Sequence, residues 1–171
     1  MSAPAAEAEL DGSARAAVTI GRPADELRPL WLDPATQSRI WTHFADVTPL
    51  DDRTADWVAR GPAGGEYRWQ TKVADPNSSD IRWSAVNGAD MPNIGSLVFR
   101  PAPGDRGTEL HLDVHFDPPG GAVGAAIGKL FHIAPAEIVR KALYKFRALA
   151  LTGEIPTTEP QPAARRGGTD R

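Results

Sequence analysis

The sequence predicts an α+β fold in which a curved antiparallel sheet of about seven strands wraps around one long C-terminal helix. Two observations carry that expectation. From Ala136 onward, Ile138, Val139, Ala142, Leu143, Phe146, Leu149 and Ala150 recur three and four residues apart, which draws one apolar stripe along an α-helix. Before it, from about Ala45 to Phe116, apolar and polar residues alternate with period two, broken only at turns, which is the signature of half-buried strands. A helix with one apolar stripe must bury it against another element, and the sheet is the available partner.

Taken in order, Met1 to about residue 14 is rich in Ala and Glu without periodicity and reads as a disordered lead-in. Ala16 to Ile20 is a short β-branched run closed by Gly21, a strand signal. Leu27, Leu30 and Trp31 then suggest a short helix. Asp33 before Pro34 reads as an N-cap with proline in the first turn, opening a second short helix that carries Ile40, Trp41 and Phe44. The strands that follow are drawn at Asp46 to Leu50, Thr54 to Arg60, Glu66 to Val73, Asp80 to Val86, Ser96 to Pro101 and Thr108 to Phe116, with Gly, Pro, Asn and Asp at the turns between them. The run Asn87 to Gly95 is longer than a hairpin needs and is expected to form a lid at the sheet rim. The long helix is drawn from Gly121 to Leu151, its first half rich in Gly and Ala and its course interrupted at Pro135. Close packing accounts for those small residues, and so does a mobile gate beside Ile127, Leu130 and Phe131. Residues 157 to 171, rich in Pro, Thr and Gly, read as a flexible tail, leaving one domain from about 15 to 156.

Alternation assigns the faces of each strand. Trp57, Ala59, Tyr67, Trp69, Thr71, Val73, Ile81, Trp83, Ala85, Leu97 and Phe99 point inward, together with Leu110, Leu112, Val114 and Phe116. Shifting any of these sets by one residue would bury Arg or Asp. Glu109, His111, Asp113 and His115 take the outer face. Neighbours in that row lie about 7 Å apart along a strand and the two histidines about 13 Å, too far to share a metal ion, so locally hydrogen-bonded histidines are expected and no metal site.

Composition narrows the function. The chain has 171 residues, 41% hydrophobic and 24% charged, with a net charge of -3, which gives no basic footprint for nucleic acid. It contains no cysteine, which excludes disulfides, thiolate nucleophiles and cysteine-ligated metals. The N-terminus lacks the basic start and apolar run of a signal peptide, and the apolar stretch 121–134 is shorter than the about 20 residues that span a bilayer, so a cytoplasmic location is expected. Gly120, Gly121 and Gly124 follow a strand and precede a helix, yet GGAVGAAIG matches neither the dinucleotide nor the P-loop pattern. No cofactor is expected.

The order of elements resembles the helix-grip fold of the START-like (SRPBCC) superfamily, and more narrowly its polyketide cyclase/dehydrase and coenzyme Q binding protein branch. The likeness rests on VTIGRPADELRPLW at Val18 to Trp31, WVARGPAGG at Trp57 to Gly65, IRWSAVNGADMPNIGSLVFRPAP at Ile81 to Pro103, GTELHLDVHFDPPGG at Gly107 to Gly121 and LYKFRALALTGEIP at Leu143 to Pro156. The resemblance implies an apolar cavity between sheet and long helix that holds a hydrophobic small molecule. Large inward rings suit such a cavity, since they stack on a flat apolar ligand while an indole N–H or a phenol fixes one polar group; they equally suit a filled core.

The expected ligand-binding residues are Trp57, Tyr67, Trp69, Trp83, Phe99, Ile127, Phe131 and Leu143. The function expected is binding or carriage of a lipid, quinone or polyketide-like aromatic without catalysis, and no catalytic residue is assigned. The alternatives are a polyketide cyclase or dehydratase acting in the same cavity, with Tyr67 and Asp90 as candidates for proton transfer, and an interaction module with a filled core. Arg140, Lys141, Lys145 and Arg147, followed by Arg165 and Arg166, form a basic outer face that suits a solvated helix and equally a transient contact with an anionic membrane or an acidic partner. The oligomeric state is left open.

Overall fold

The computed structural model describes residues 10, 12–61, 64–117 and 133–155. Seven strands form one antiparallel sheet: β1 (Gly12–Ile20), β2 (Ala45–Pro49), β3 (Thr54–Arg60), β4 (Glu66–Val73), β5 (Ile81–Ala85), β6 (Asn93–Pro101) and β7 (Thr108–Phe116), in the order β1-β7-β6-β5-β4-β3-β2. Helices α1 (Ala24–Leu32) and α2 (Pro34–Ile40) follow β1, and α3 (Pro135–Thr152) follows β7. Consecutive strands from β2 to β7 are neighbours. The first strand instead returns to pair with the last, so the sheet curls and both sequence ends of the domain meet on one side. The architecture is the helix grip expected from the sequence.

Three strands, β3, β4 and β7, fall at the residues alternation assigned, and the others shift by identifiable causes. The first strand begins at Gly12, four residues before its β-branched run and inside the expected lead-in, because Gly12 to Ile20 pairs continuously with Phe116 to Thr108. The rest of that lead-in, apart from Leu10, lies outside the described residues, as does the expected tail 157–171 with Arg165 and Arg166. The connection expected at Asn87 to Gly95 is shorter than it reads: Asn93, Ile94 and Gly95 belong to β6, where Gly95 pairs with Trp83. The remaining loop is tied down to Arg68 by Asp90, whose Oδ2 accepts from Arg68 N at 2.8 Å and whose amide donates to the Arg68 carbonyl at 3.0 Å. At Asp90 the loop therefore runs as an irregular partner of β4.

The helices form for local reasons. Asp33 Oδ1 accepts the Ala35 amide at 3.0 Å, and Pro34 occupies a first-turn position that needs no donor. α2 ends at Ile40, sooner than expected, and Trp41 and Phe44 belong to the turn that follows. α3 begins at Pro135 and stops at Gly153, whose φ of 77° provides a left-handed cap with its amide on the Leu149 carbonyl at 2.8 Å. All seven stripe residues of α3 are buried, and the helix packs mainly against β1. The expected helical half 121–134, with its gate residues, lies outside the described residues except for Ile133 and Ala134.

The core between α3 and the sheet is built on Phe146, Leu143, Ile20, Leu97, Leu110 and Leu112, each essentially inaccessible. α1 contributes Leu27 and Trp31, and its Arg28 guanidinium donates to the carbonyls of Pro76 and Ser78, fastening the helix to the β4–β5 turn. α2 contributes Ile40.

Candidate functional site: an aromatic interior divided in two

All five tryptophans of the chain turn toward the interior. On β3 and β4, Trp57 and Trp69 are directly opposed, and their rings stack at 5.7 Å with planes 15° apart. Trp41 meets Trp57 edge-on at 5.4 Å and Phe44 leans on Trp69 at 6.0 Å. A second group joins Phe146, Trp31 and Trp83: Trp31 is edge-on to Phe146 at 5.0 Å and 6.4 Å from Trp83. Such tilted, offset pairs are each worth about 0.5–1.5 kcal/mol beyond the area they bury.

Two of these indoles are held by their nitrogens. Trp57 Nε1 donates to Thr71 Oγ1 at 2.9 Å in a buried bond, and Trp41 Nε1 donates to Gln37 Oε1 at 2.9 Å. Gln37 Nε2 in turn donates to the Trp31 carbonyl at 2.7 Å, which links the two aromatic groups through one side chain.

The rings leave two chambers of about 70 Å³ each. The first lies beneath α1 and α2, against Gln37, Val47, Thr71 and Ile81, and opens at the β2–β3 turn around Asp51 to Thr54. The second lies between the sheet and the start of α3, against Phe44, Met91, Asn93, Val114, Phe116 and Ile138. Trp41, Trp57 and Trp83 belong to the walls of both. At this volume each chamber holds about five waters, whereas ligand pockets run to about 300–1,000 Å³.

The chamber walls carry few polar groups. Thr71 is one. Asn93 is another, buried at the start of β6, with Nδ2 donating to the Met91 carbonyl at 2.8 Å. The ionisable wall residues, Asp51, Asp52 and Arg53, are exposed at the mouth of the first chamber. Asp51 is occupied by its own turn: Oδ1 accepts the amides of Arg53 and Thr54 at 2.8 Å each, and these bonds hold its carboxyl below the usual range.

Of the residues expected to bind ligand, Trp57 and Trp83 stand on chamber walls. Trp69 stands behind Trp57 as its stacking partner. Tyr67 and Phe99 are partly buried and packed against the core, Leu143 is fully buried, and none of the three borders a chamber. Ile127 and Phe131 lie outside the described residues. Neither candidate for proton transfer faces a chamber, because Asp90 is exposed and engaged with Arg68 while Tyr67 packs over Gly61. Trp41 and Met91 were not anticipated. Trp41 sits just past the end of α2, where helical periodicity no longer assigns a face; Met91 falls in a stretch that reads as loop.

Around the site, His43 fastens α2's trailing turn to α3. Its Nε2 donates to the Ile138 carbonyl at 2.8 Å, and Lys145 Nζ lies 3.1 Å from Nδ1 and 3.0 Å from Thr42 Oγ1. Burial, opposed in part by the bond to the Ile138 carbonyl, lowers the pKa of His43 to about 4, with Lys145 and Lys141 adding to the drop. The ring is therefore neutral at pH 7, with its proton on Nε2 and Nδ1 accepting from Lys145. Lys145 is thus spent on an internal contact, and Arg140 makes paired bonds to Glu137 at 2.7 and 2.8 Å. Of the basic residues of α3, this leaves Lys141 and Arg147 directed to solvent.

On the outer face of β7, His111 pairs with Glu109 at 2.7 Å, His115 with Asp113 at 3.2 Å, and Arg15 with Asp113 at 3.1 Å. Among the described residues no three His, Cys, Asp or Glu side chains converge as metal ligands would. No helix among them is long and apolar enough to cross a membrane.

A curled seven-stranded sheet gripping a C-terminal helix over an apolar, ring-lined interior defines a ligand-binding class of fold, and the comparisons agree with it. Residues 11–151 match the family described as polyketide cyclase / dehydrase and lipid transport, and the chain belongs to that family. A solved protein from Deinococcus radiodurans is 32% identical with a TM-score of 0.64, the match covering 84% of this chain and 99% of that one. A protein from Thermus thermophilus is 20% identical with a TM-score of 0.63, covering 84% and 99%. A START superfamily protein from Mycobacterium smegmatis is 14% identical with a TM-score of 0.56, covering 84% and 96%. No curated protein matches the sequence.

Proposed function

We propose that this chain binds or carries one hydrophobic small molecule, a lipid, quinone or polyketide-like aromatic, in the interior between sheet and α3, and does not transform it. The observation that carries this reading is the make-up of the two chambers. Among the described residues their walls are mostly aromatic rings and aliphatic side chains, and every acid or base bordering them is an exposed residue at one mouth. A catalyst for cyclisation or dehydration needs an acid or base within hydrogen-bond reach of buried substrate, and Tyr67 and Asp90 are placed elsewhere. Membership of a family whose description includes lipid transport supports carriage.

Native mass spectrometry of the protein purified from its own host, followed by denaturing extraction, tests it. The expected result is one apolar molecule per chain, released unchanged. Protein that is empty as purified and binds none of ubiquinone-1, palmitate or 2-naphthol in calorimetric titration would overturn the reading, and catalytic consumption of the extracted compound would replace it with the enzyme.

A further inference from the structure

Resting on the reading that the interior binds a ligand, we infer that Trp83 is a movable partition between the two chambers, and that the ligand admitted when it swings is a planar aromatic bearing a carbonyl acceptor. Among the described residues, three side chains are common to both chambers, those of Trp41, Trp57 and Trp83. The first two are 4% and 8% exposed and anchored by their ring nitrogens on Gln37 and Thr71. Trp83 is only partly buried, and among the described residues its indole nitrogen has no hydrogen-bond partner; its one ring contact is the tilted one with Trp31. Of the three dividing walls, it alone is held by packing.

The backbone beneath it is shaped for that ring. Trp83 pairs with Gly95 across β5 and β6, and a β-carbon at position 95 would lie 2.1 and 2.2 Å from Cζ2 and Cε2 of the indole. Glycine inside a strand costs about 0.5–1 kcal/mol relative to alanine, so its presence at the contact needs a reason, and the reason here is a smooth surface on which the indole lies flat. The strand that carries Trp83 has four register pairs to β6 but three to β4, with the Trp83–Val73 pair at one end of that shorter ladder.

Moving this one ring joins the chambers into a single slot between the stacked Trp57–Trp69 pair and the aliphatic side of the cavity. Among the polar groups met there, Asn93 spends Nδ2 on the Met91 carbonyl and keeps an amide acceptor, while two others can donate. Thr71 already accepts from Trp57, so its own hydroxyl proton is left to give, and the Trp83 N–H has no partner among the described residues. A flat ring with a carbonyl stacks on the indoles and accepts from these donors; a linear acyl chain can accept through its carboxylate but has no ring face to stack.

The test uses the full chain labelled with 5-fluorotryptophan, whose five fluorine resonances are assigned by single Trp→Phe variants, with menadione as the planar carbonyl probe and palmitate as the linear one. Menadione is expected to move the Trp83 resonance while those of Trp41 and Trp57 hold. Its association rate is expected to rise about tenfold in Trp83→Ala, where the fraction of open molecules no longer limits binding. Gly95→Ala, which evicts the indole without deleting it, is expected to shift the Trp83 resonance before any ligand is added. Menadione binding that leaves the Trp83 resonance still overturns the partition and spares the binding function. Palmitate binding without menadione binding overturns the ligand class and likewise spares that function. Binding of neither probe, to the wild-type protein or to folded Trp83→Ala, overturns both.

Discussion

Acidification from pH 7 to 4 will weaken this protein through one histidine. His43 is neutral in the folded state, giving Nε2–H to the Ile138 carbonyl and accepting a hydrogen bond from Lys145 at Nδ1. A second proton would place an imidazolium against the Lys145 ammonium, with Lys141 near, in a partly buried position. The unfolded chain takes that proton at the ordinary 6.5 and the folded one only at about 4. Stability from this group is therefore whole above pH 6.5, is lost as pH falls through that window, and levels off below about 4. A gap of that size corresponds to roughly 3 kcal/mol at full strength; because the ring is partly open to solvent, screening reduces it to about 1.5 kcal/mol. Urea unfolding at half-unit steps between pH 7 and 4 measures it against His43→Gln, which keeps an amide donor for Ile138 but does not titrate. The carboxylates titrate alike in both proteins, so the difference isolates the imidazole. Parallel pH curves for the two would refute the latch as described.

Further substitutions test other parts of the structure. Gly107 has a φ of 109°, and a β-carbon there would sit 2.1 Å from the Ile20 carbonyl oxygen and 2.7 Å from Gly21 Cα, atoms that cannot step aside; Gly107→Ala should cost about 3 kcal/mol and lower Tm by roughly 10 °C, whereas Gly153→Ala, with open space around it, should cost about 1 kcal/mol. Thr71→Val preserves shape but strands the buried Trp57 N–H, so chemical denaturation should report a loss of about 2 kcal/mol, smaller when Trp57→Phe is already in place.

The fold was legible wherever a repeating pattern outran local ambiguity. The strands β3, β4 and β7 and the stripe from Ile138 to Ala150 carry enough repeats to fix both type and face. Asp33-Pro34 announced its helix because the cap chemistry is local. What stayed hidden depends on partners distant in sequence. Gly95 reads as a turn residue until Trp83 is laid across it, and Asp90 reads as a loop acid until Arg68 is found opposite. For the site, alternation identified Trp57 and Trp83 as inward, but inward is a broader property than chamber-facing. Trp69, Tyr67, Phe99 and Leu143 point in and are consumed by packing, a distinction that arises from ring against ring rather than from period. Trp41 escaped because it was assigned to the second short helix with Ile40 and Phe44, whereas that helix stops one residue before it and its ring turns onto the chambers.

The two sides of the interior differ in kind. Toward β3 and β4 the surface is aromatic, with Trp57 backed by Trp69; toward β1, β7 and α3 it is largely aliphatic, with Ala14, Val114, Ile138 and Val139 beside the single ring of Phe116. A flat guest would present one π-face to indole electrons and the other to methyl groups, so its top and bottom would be inequivalent. A symmetric ring would be desymmetrised by being held, and the two prochiral faces of a carbonyl on that ring would become distinguishable to anything that approached from outside.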